Sequence, residues 1–219
     1  MMNSMTDNQG LVLDHVRIAL EGRELVSISA RIRCGETLTV MGPSGSGKST
    51  LLAYLGGFLD PAFTASGGVY VDGIDLIALE AEKRHAGILF QDPLLFPHLS
   101  VADNIAIAIP DTVRGRKQRR AMAEAALEDA GLAGFGNSDP DTLSGGQKAR
   151  VALQRVLLSQ PRLLLLDEPF SKLDAHLRDQ TRQMVFSKAR CAGLPVVLVT
   201  HDEADAGAAG GEVHRVGQS

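Results

Sequence analysis

The strongest chemical signal in the chain is a short glycine-rich stretch. Gly42-Pro43-Ser44-Gly45-Ser46-Gly47-Lys48-Ser49-Thr50 matches G-x-x-x-x-G-K-[ST], preceded by an apolar run ending at Met41 and followed by the helical run Thr50–Leu55. Glycines let the backbone wrap so closely that successive N–H groups face phosphate oxygens, and the helix beyond adds the positive end of its dipole. Lys48 can supply a point charge for the β- and γ-phosphates, and the Ser49 hydroxyl can ligate Mg²⁺. The chemistry implied is the binding of a nucleoside triphosphate.

A second signal is the apolar run Leu163-Leu164-Leu165-Leu166 ending in Asp167-Glu168. Such a run has the composition of a strand buried on both faces, and ligands of wound α/β sheets sit beyond the carboxyl ends of the strands. Neighbours on an extended chain point opposite ways, so the two acids divide the work. Asp167 suits a magnesium ligand and Glu168 a general base that polarises water. Leu143-Ser144-Gly145-Gly146-Gln147 is a third signal. Ser144 is an N-cap candidate, and the glycines bare backbone N–H groups ahead of a helical run, Lys148–Ser159.

Strand patterns at Leu11–Val16, Glu36–Met41, Val69–Val71, Ala86–Phe90, Leu163–Leu166 and Pro195–Thr200 must position these groups. Their order predicts a mostly parallel sheet wound with helices, beside a small antiparallel part near the N-terminus. Between Gln91 and Leu143 strand signals stop and helix formers take over, notably in Gln118–Ala130, which Gly131 ends. The expected organisation is one domain spanning 1–219, with a core of about 1–90 and 160–219 and a helical subdomain of about 91–159.

LSGGQ, together with the cradle and the acidic pair in this order, resembles the ATP-binding subunits of ABC transporters, over nearly the whole chain from Leu11 to His214. The resemblance implies a P-loop NTPase core of RecA-like type, an α/β fold, with a helical insertion. It implies that Gln91 contacts the metal and the lytic water, that Ser171-Lys172-Leu173-Asp174 forms a loop touching nucleotide, and that His201 contacts the γ-phosphate. Ser144, Gly145, Gly146 and Gln147 then join the nucleotide site, with Glu168, His201 and Gln91 catalytic, Ser49, Gln91 and Asp167 on the metal, and ATP and Mg²⁺ as cofactors. It further implies a homodimer closed around two MgATP, with Ser144, Gly145 and Gly146 of one copy on the γ-phosphate held by the other. Separate transmembrane permease subunits, with a solute-binding protein, are the expected partners in import of a small solute. The expected location is the cytoplasmic face of a bacterial inner membrane.

One departure stands out. The family stacks adenine on an aromatic residue upstream of the cradle, whereas Val16–Gly22 here contains none. Leu20 is left as the base contact, and selectivity for ATP over GTP is open. Leu94-Leu95-Phe96-Pro97-His98-Leu99 is an apolar cluster that either packs inside the helical subdomain or receives a membrane partner.

Composition sets the outer bounds. In 219 residues, 22 Lys+Arg stand against 26 Asp+Glu, a net charge of −4, so overall charge does not favour nucleic acid and none is expected as a partner. Arg114, Arg116, Lys117, Arg119 and Arg120 form a local basic cluster, read as a solvated helix start. Cys34 and Cys191 are far apart in sequence and form no C-x-x-C pair, which fits a reducing compartment. No apolar run is long enough to span a bilayer, and Met1–Asp7 lacks the basic start and apolar centre of a signal peptide. Two other readings stay open at this stage: a soluble ATPase acting on nucleic acid or ribosomes, and a nucleotide-gated binding module with little turnover.

Overall fold

A computed structural model describes residues 9–173 and 175–217. The chain divides into two compact units. The first holds the chain through Ile88, Arg162–Glu168 and Phe186 onward, and the second holds Leu89–Pro161 and Pro169–Val185.

Among the described residues, the first unit carries two sheets. β1 (Leu11–Leu20), β2 (Arg23–Ile32), β4 (Phe63–Val71) and β5 (Ile74–Asp75) form an antiparallel sheet in the order β2-β1-β4-β5. β3 (Thr37–Met41), β6 (Ala86–Leu89), β7 (Leu163–Asp167), β8 (Val196–Thr200) and β9 (Glu212–Arg215) form the other, in the order β6-β7-β8-β3-β9. β3 is parallel to both β8 and β9, and β7 is parallel to β8. Every residue of β3 and β8 is buried, as are the four leucines of β7, which is why these strands read as unbroken apolar runs. α1 (Lys48–Gly56) packs Leu51, Leu52 and Leu55 into the core shared with Leu38, Val40, Leu163, Leu165, Val197 and Val199. Buried Arg84 closes its far end, donating through Nη1 to the Tyr54 carbonyl at 2.7 Å and the Leu55 carbonyl at 3.2 Å.

The α/β fold with a parallel sheet and an N-terminal antiparallel part is as expected, but the antiparallel part is larger. β1 runs on to Leu20 instead of stopping at Val16, because a bulge at Asp14 and His15 shifts the register between Leu13 and Val16. The inward residues therefore fall at 11, 13, 16 and 18, which breaks a strict two-residue alternation. β4 begins at Phe63, six residues ahead of the expected Val69, through a Thr-Ala-Ser-Gly-Gly stretch with weak strand propensity. β2, β5 and the exposed β9 carried no signal strong enough to be expected.

The second unit is mainly helical. α2 (Val101–Ala106), α3 (Arg116–Asp129) and α4 (Gly145–Leu158) enclose Val101, Ile105, Ala123, Leu127, Leu143 and Val151. α5 (Ala175–Cys191) crosses from this unit into the first, and α6 (Glu203–Ala209) follows β8 in the first unit. The basic cluster is only partly a solvated helix start. Arg119 donates to the carbonyls of Ala106, Ile109, Pro110 and Val113, and Arg120 engages Glu124 and Asn137. Arg114, Arg116 and Lys117 are exposed.

Asn104, fully buried in α2, orders the segment before that helix. Its Oδ1 accepts the Phe96 N–H at 2.7 Å, and its Nδ2 donates to the carbonyls of Phe96 and Leu99 at 3.0 and 3.2 Å. Asn104→Leu strands a backbone donor in an apolar setting, so it should cost about 2 kcal/mol in urea unfolding and speed proteolysis within 94–99. Unchanged stability would show that this network does not hold the loop.

Candidate nucleotide site

The cradle begins where β3 ends. Gly45 and Gly47 adopt φ of +79° and +90°, and Gly47 is the N-cap of α1 without any side-chain cap. A β-carbon on Gly47 would also lie 2.9 Å from Val26 Cγ2, so conformation and space both demand glycine. The first-turn N–H groups of α1 are thereby left facing the loop. Lys48 is buried in it, its Nζ donating to the Gly42 and Pro43 carbonyls at 2.8 Å each. That holds the ammonium beside the cradle without any carboxylate partner among those bonds.

One residue on, the Ser49 hydroxyl donates to Asp167 Oδ1 at 3.0 Å. Asp167 closes β7, and Glu168 follows with φ of +45°, held by its N–H to the Val199 carbonyl at 2.9 Å. A left-handed glutamate immediately after a buried strand is conformationally costly and turns its side chain away from the strand's alternation. Burial raises the Asp167 carboxyl above its ordinary range; the Ser49 hydrogen bond opposes this, the Glu168 charge adds to it, and Lys48 opposes it again. Hard oxygen donors on a desolvated acid next to a phosphate cradle suit Mg²⁺, which binds through one or two protein groups together with substrate phosphates. Among the described residues no group of three or more His, Cys, Asp or Glu could enclose a metal by itself.

His201 follows β8. Its Nδ1 lies 3.1 Å from Glu168 Oε1, so an Nδ1–H donates to the carboxylate. The turn beneath it is fixed by Thr200, whose hydroxyl donates to buried Asp205 Oδ2 at 2.8 Å and accepts the Asp202 N–H at 3.1 Å. A cleft of about 670 Å³ runs alongside, lined by Ser44, Gly45, Gly47, Lys48, Ser49, Thr50 and Glu168, and also by Leu20, Glu21, Arg23, Leu25 and Phe63. Leu20 is therefore at the cleft. Arg23 and Phe63 were not singled out from sequence, because only the strand registers Leu20–Arg23 and Leu20–Phe63 bring them there.

The other expected residues that the structure describes lie in the second unit. Gln91 is exposed just beyond β6. Ser144 caps α4: its Oγ accepts the Gln147 N–H at 3.3 Å, while Gln147 Oε1 accepts the Ser144 N–H at 2.8 Å. Gln147 is thus engaged in capping. Gly145 is exposed, whereas a β-carbon on Gly146 would overlap the Leu177 side chain, so that glycine is fixed by packing. Lys172 pairs with Asp92 at 2.8 Å, and Asp174 lies outside the described residues. Arg155 of α4 donates to the Pro93 and Leu94 carbonyls at 3.1 and 2.9 Å and stacks over Phe96, 5.5 Å from the ring centroid.

Comparison with known proteins identifies the family. The ABC transporter family matches residues 25–171. The chain is 49% identical over 185 residues to the uncharacterized ABC transporter ATP-binding protein YnjD of Escherichia coli K12, covering 84% of this chain and 85% of that protein. It is 44% identical over 180 residues to the spermidine/putrescine import ATP-binding protein PotA of Pseudomonas aeruginosa, covering 82% of this chain and 49% of PotA. It is 37% identical over 211 residues to the Fe(3+) ions import ATP-binding protein FbpC 1 of Haemophilus influenzae, covering 95% of this chain and 63% of that one. It thus spans most of YnjD but only about half to two thirds of these two importer proteins. Among solved structures, the ATP-binding cassette MJ0796 in a dimeric post-hydrolysis state bound to ADP and Pi superposes with a TM-score of 0.77 at 31% identity, over 94% of each chain. With the family matched across the cradle, the LSGGQ stretch and the acidic pair, the chain belongs to the ATP-binding proteins of the ABC transporter family.

Proposed function

We propose that this chain binds and hydrolyses MgATP as one of two identical cassettes that drive import of a small solute through separate membrane subunits. The observation that carries the reading is the convergence of Lys48, Ser49, Asp167, Glu168 and His201 along one edge of one sheet, beside the cleft. Residues Gly42–Thr50 hold the triphosphate, and Ser49 and Asp167 would hold Mg²⁺, which when bound supplies charge neutralisation at the phosphates. Gln91 keeps the metal and water contact that the family resemblance gives it. Glu168 accepts a proton from the water whose oxygen attacks the γ-phosphorus, the bond to the β–γ bridging oxygen breaks, and ADP and phosphate leave. His201 keeps the Glu168 carboxylate in place through Nδ1–H and contacts the γ-phosphate.

The dimeric MJ0796 cassette supports two-fold assembly, in which Ser144, Gly145 and Gly146 of one copy meet the γ-phosphate held by the other. The importer names of PotA and FbpC support import, and permease subunits with a solute-binding protein are the partners that reading requires. No helix among the described residues is long and apolar enough to cross a membrane, and in this reading separate membrane subunits supply the pore. The protein then sits peripherally on the cytoplasmic face of the inner membrane. Leu94 and Phe96, 58% and 40% exposed, offer an apolar surface for the membrane subunits.

Lys48→Ala should abolish tight ATP binding by calorimetry. Glu168→Gln should keep binding, lower phosphate release by about 10²–10³-fold, and accumulate an ATP-bound dimer on gel filtration with light scattering. A Glu168→Gln protein that stays monomeric at saturating MgATP would refute the sandwich.

Asp167→Asn offers a separate check on the metal. Because burial opposes the Asp167 charge, the uncharged variant should melt at the same or a higher temperature than wild type without nucleotide. The extra stabilisation that Mg²⁺ adds to ATP-bound wild type should be lost. Retention of that Mg²⁺ increment would remove Asp167 from the metal site.

A further inference from the structure

We infer that Phe63, at the start of β4, is the platform on which the nucleotide base rests in this chain. The inference rests on the nucleotide reading of the cleft and adds to it the residue that reads the base. The phosphate-binding end of the cleft is set by Lys48 and Ser49, so a base at the other end of the same ligand must meet the remaining walls, Leu20, Glu21, Arg23, Leu25 and Phe63. Of the chain's seven phenylalanines and two tyrosines, Phe63 alone lines that cleft.

Its position is fixed by the sheet. Phe63 pairs with Leu20 across β1 and β4, and Leu20 pairs with Arg23 across β1 and β2, so three neighbouring strands place these side chains side by side at one end of the antiparallel sheet. Phe63 is half-buried and packs against the apolar core, which limits the ring's freedom while it still contributes to the cleft wall. Such a ring offers a preorganised π-face to a planar base. The tight turn at Glu21 and Gly22 carries no aromatic side chain, so the stacking surface comes from β4.

A phenyl face forms no hydrogen bonds to base edges and so recognises shape and polarisability. Every base has a π-face, and the larger purines cover more of the ring, so ATP and GTP should depend on Phe63 equally and CTP less. Arg23, exposed at the same wall, is placed to flank the base.

The test compares wild type, Phe63→Ala, Phe63→Leu and Phe63→Trp by calorimetric titration with ATP, GTP, CTP and inorganic triphosphate. Circular dichroism establishes that each variant is folded. The phosphate reading is checked separately, through loss of triphosphate binding in Lys48→Ala. The expected result is a Kd for ATP and GTP raised about tenfold in Phe63→Ala, less in Phe63→Leu, and restored in Phe63→Trp, with triphosphate affinity unchanged. Phe63→Trp should also show tryptophan quenching on addition of ATP but not of triphosphate. ATP affinity in Phe63→Ala equal to wild type would overturn the inference, as would a parallel loss for ATP and triphosphate, which would make Phe63 a support of the cradle.

Discussion

Parallel strands all end on the same side, and that constraint brings the chemistry of this protein together. The cradle leaves the carboxyl end of β3, the acidic pair that of β7, and His201 that of β8. No local sequence rule could join Ser49 to Asp167, 118 residues away, yet their hydrogen bond is a direct consequence of β3, β8 and β7 lying side by side. The same edge sets Glu168 against His201 through the pairing of β7 and β8. The leucine and valine runs buried inside these strands are therefore functional indirectly. They specify the register, and the register aligns the ends.

The second unit has a comparable organiser in α4. Its N-terminus carries the Ser144–Gln147 capping box, and near its C-terminus Arg155 grips the Pro93 and Leu94 carbonyls just after Gln91. Burial lowers the pKa of that guanidinium, so its backbone bonds and the Phe96 ring replace lost hydration. One rigid helix thus spans from the LSGGQ tip to the segment bearing the exposed Leu94 and Phe96. The Lys172–Asp92 pair adds a second tie to that segment from the loop preceding α5. Both ties are internal to the unit, which makes the Gln91 segment and the LSGGQ tip parts of one body.

Those features were unevenly legible in the sequence. The cradle, the acidic pair and the Ser144 N-cap are contiguous, so residue order alone exposed them, and the buried parallel strands declared themselves as apolar runs; that Gln147 completes the cap is visible only in the structure. What escaped was non-local or irregular. The bulge at Asp14 and His15 hid the second half of β1, and the small residues after Phe63 hid most of β4. Those are the strand ends that place Phe63 beside Leu20, a juxtaposition no contiguous stretch of sequence displays. Arg119 was equally illegible. A run of cations reads as solvated, and only the fold shows one of them capping four carbonyls.

The acidic edge also bears on the proposed pairing of nucleotide and metal. Asp167 and Glu168 are adjacent carboxylates, and Asp167 is already pushed toward its neutral form by burial, with only a hydroxyl and a nearby lysine opposing. Placing a triphosphate alone in the cradle would add further negative charge beside them. A divalent cation held by Ser49 and Asp167, as proposed, would reverse that balance, because it would favour the ionised carboxylate and offset the phosphate charge at once. Glu168 has a different partner, His201, so the proposed site would give the two carboxylates different tasks, Asp167 toward the cation and Glu168 toward the water. Separate partners thus distinguish two carboxyl groups one residue apart, which is what the proposed division of tasks requires.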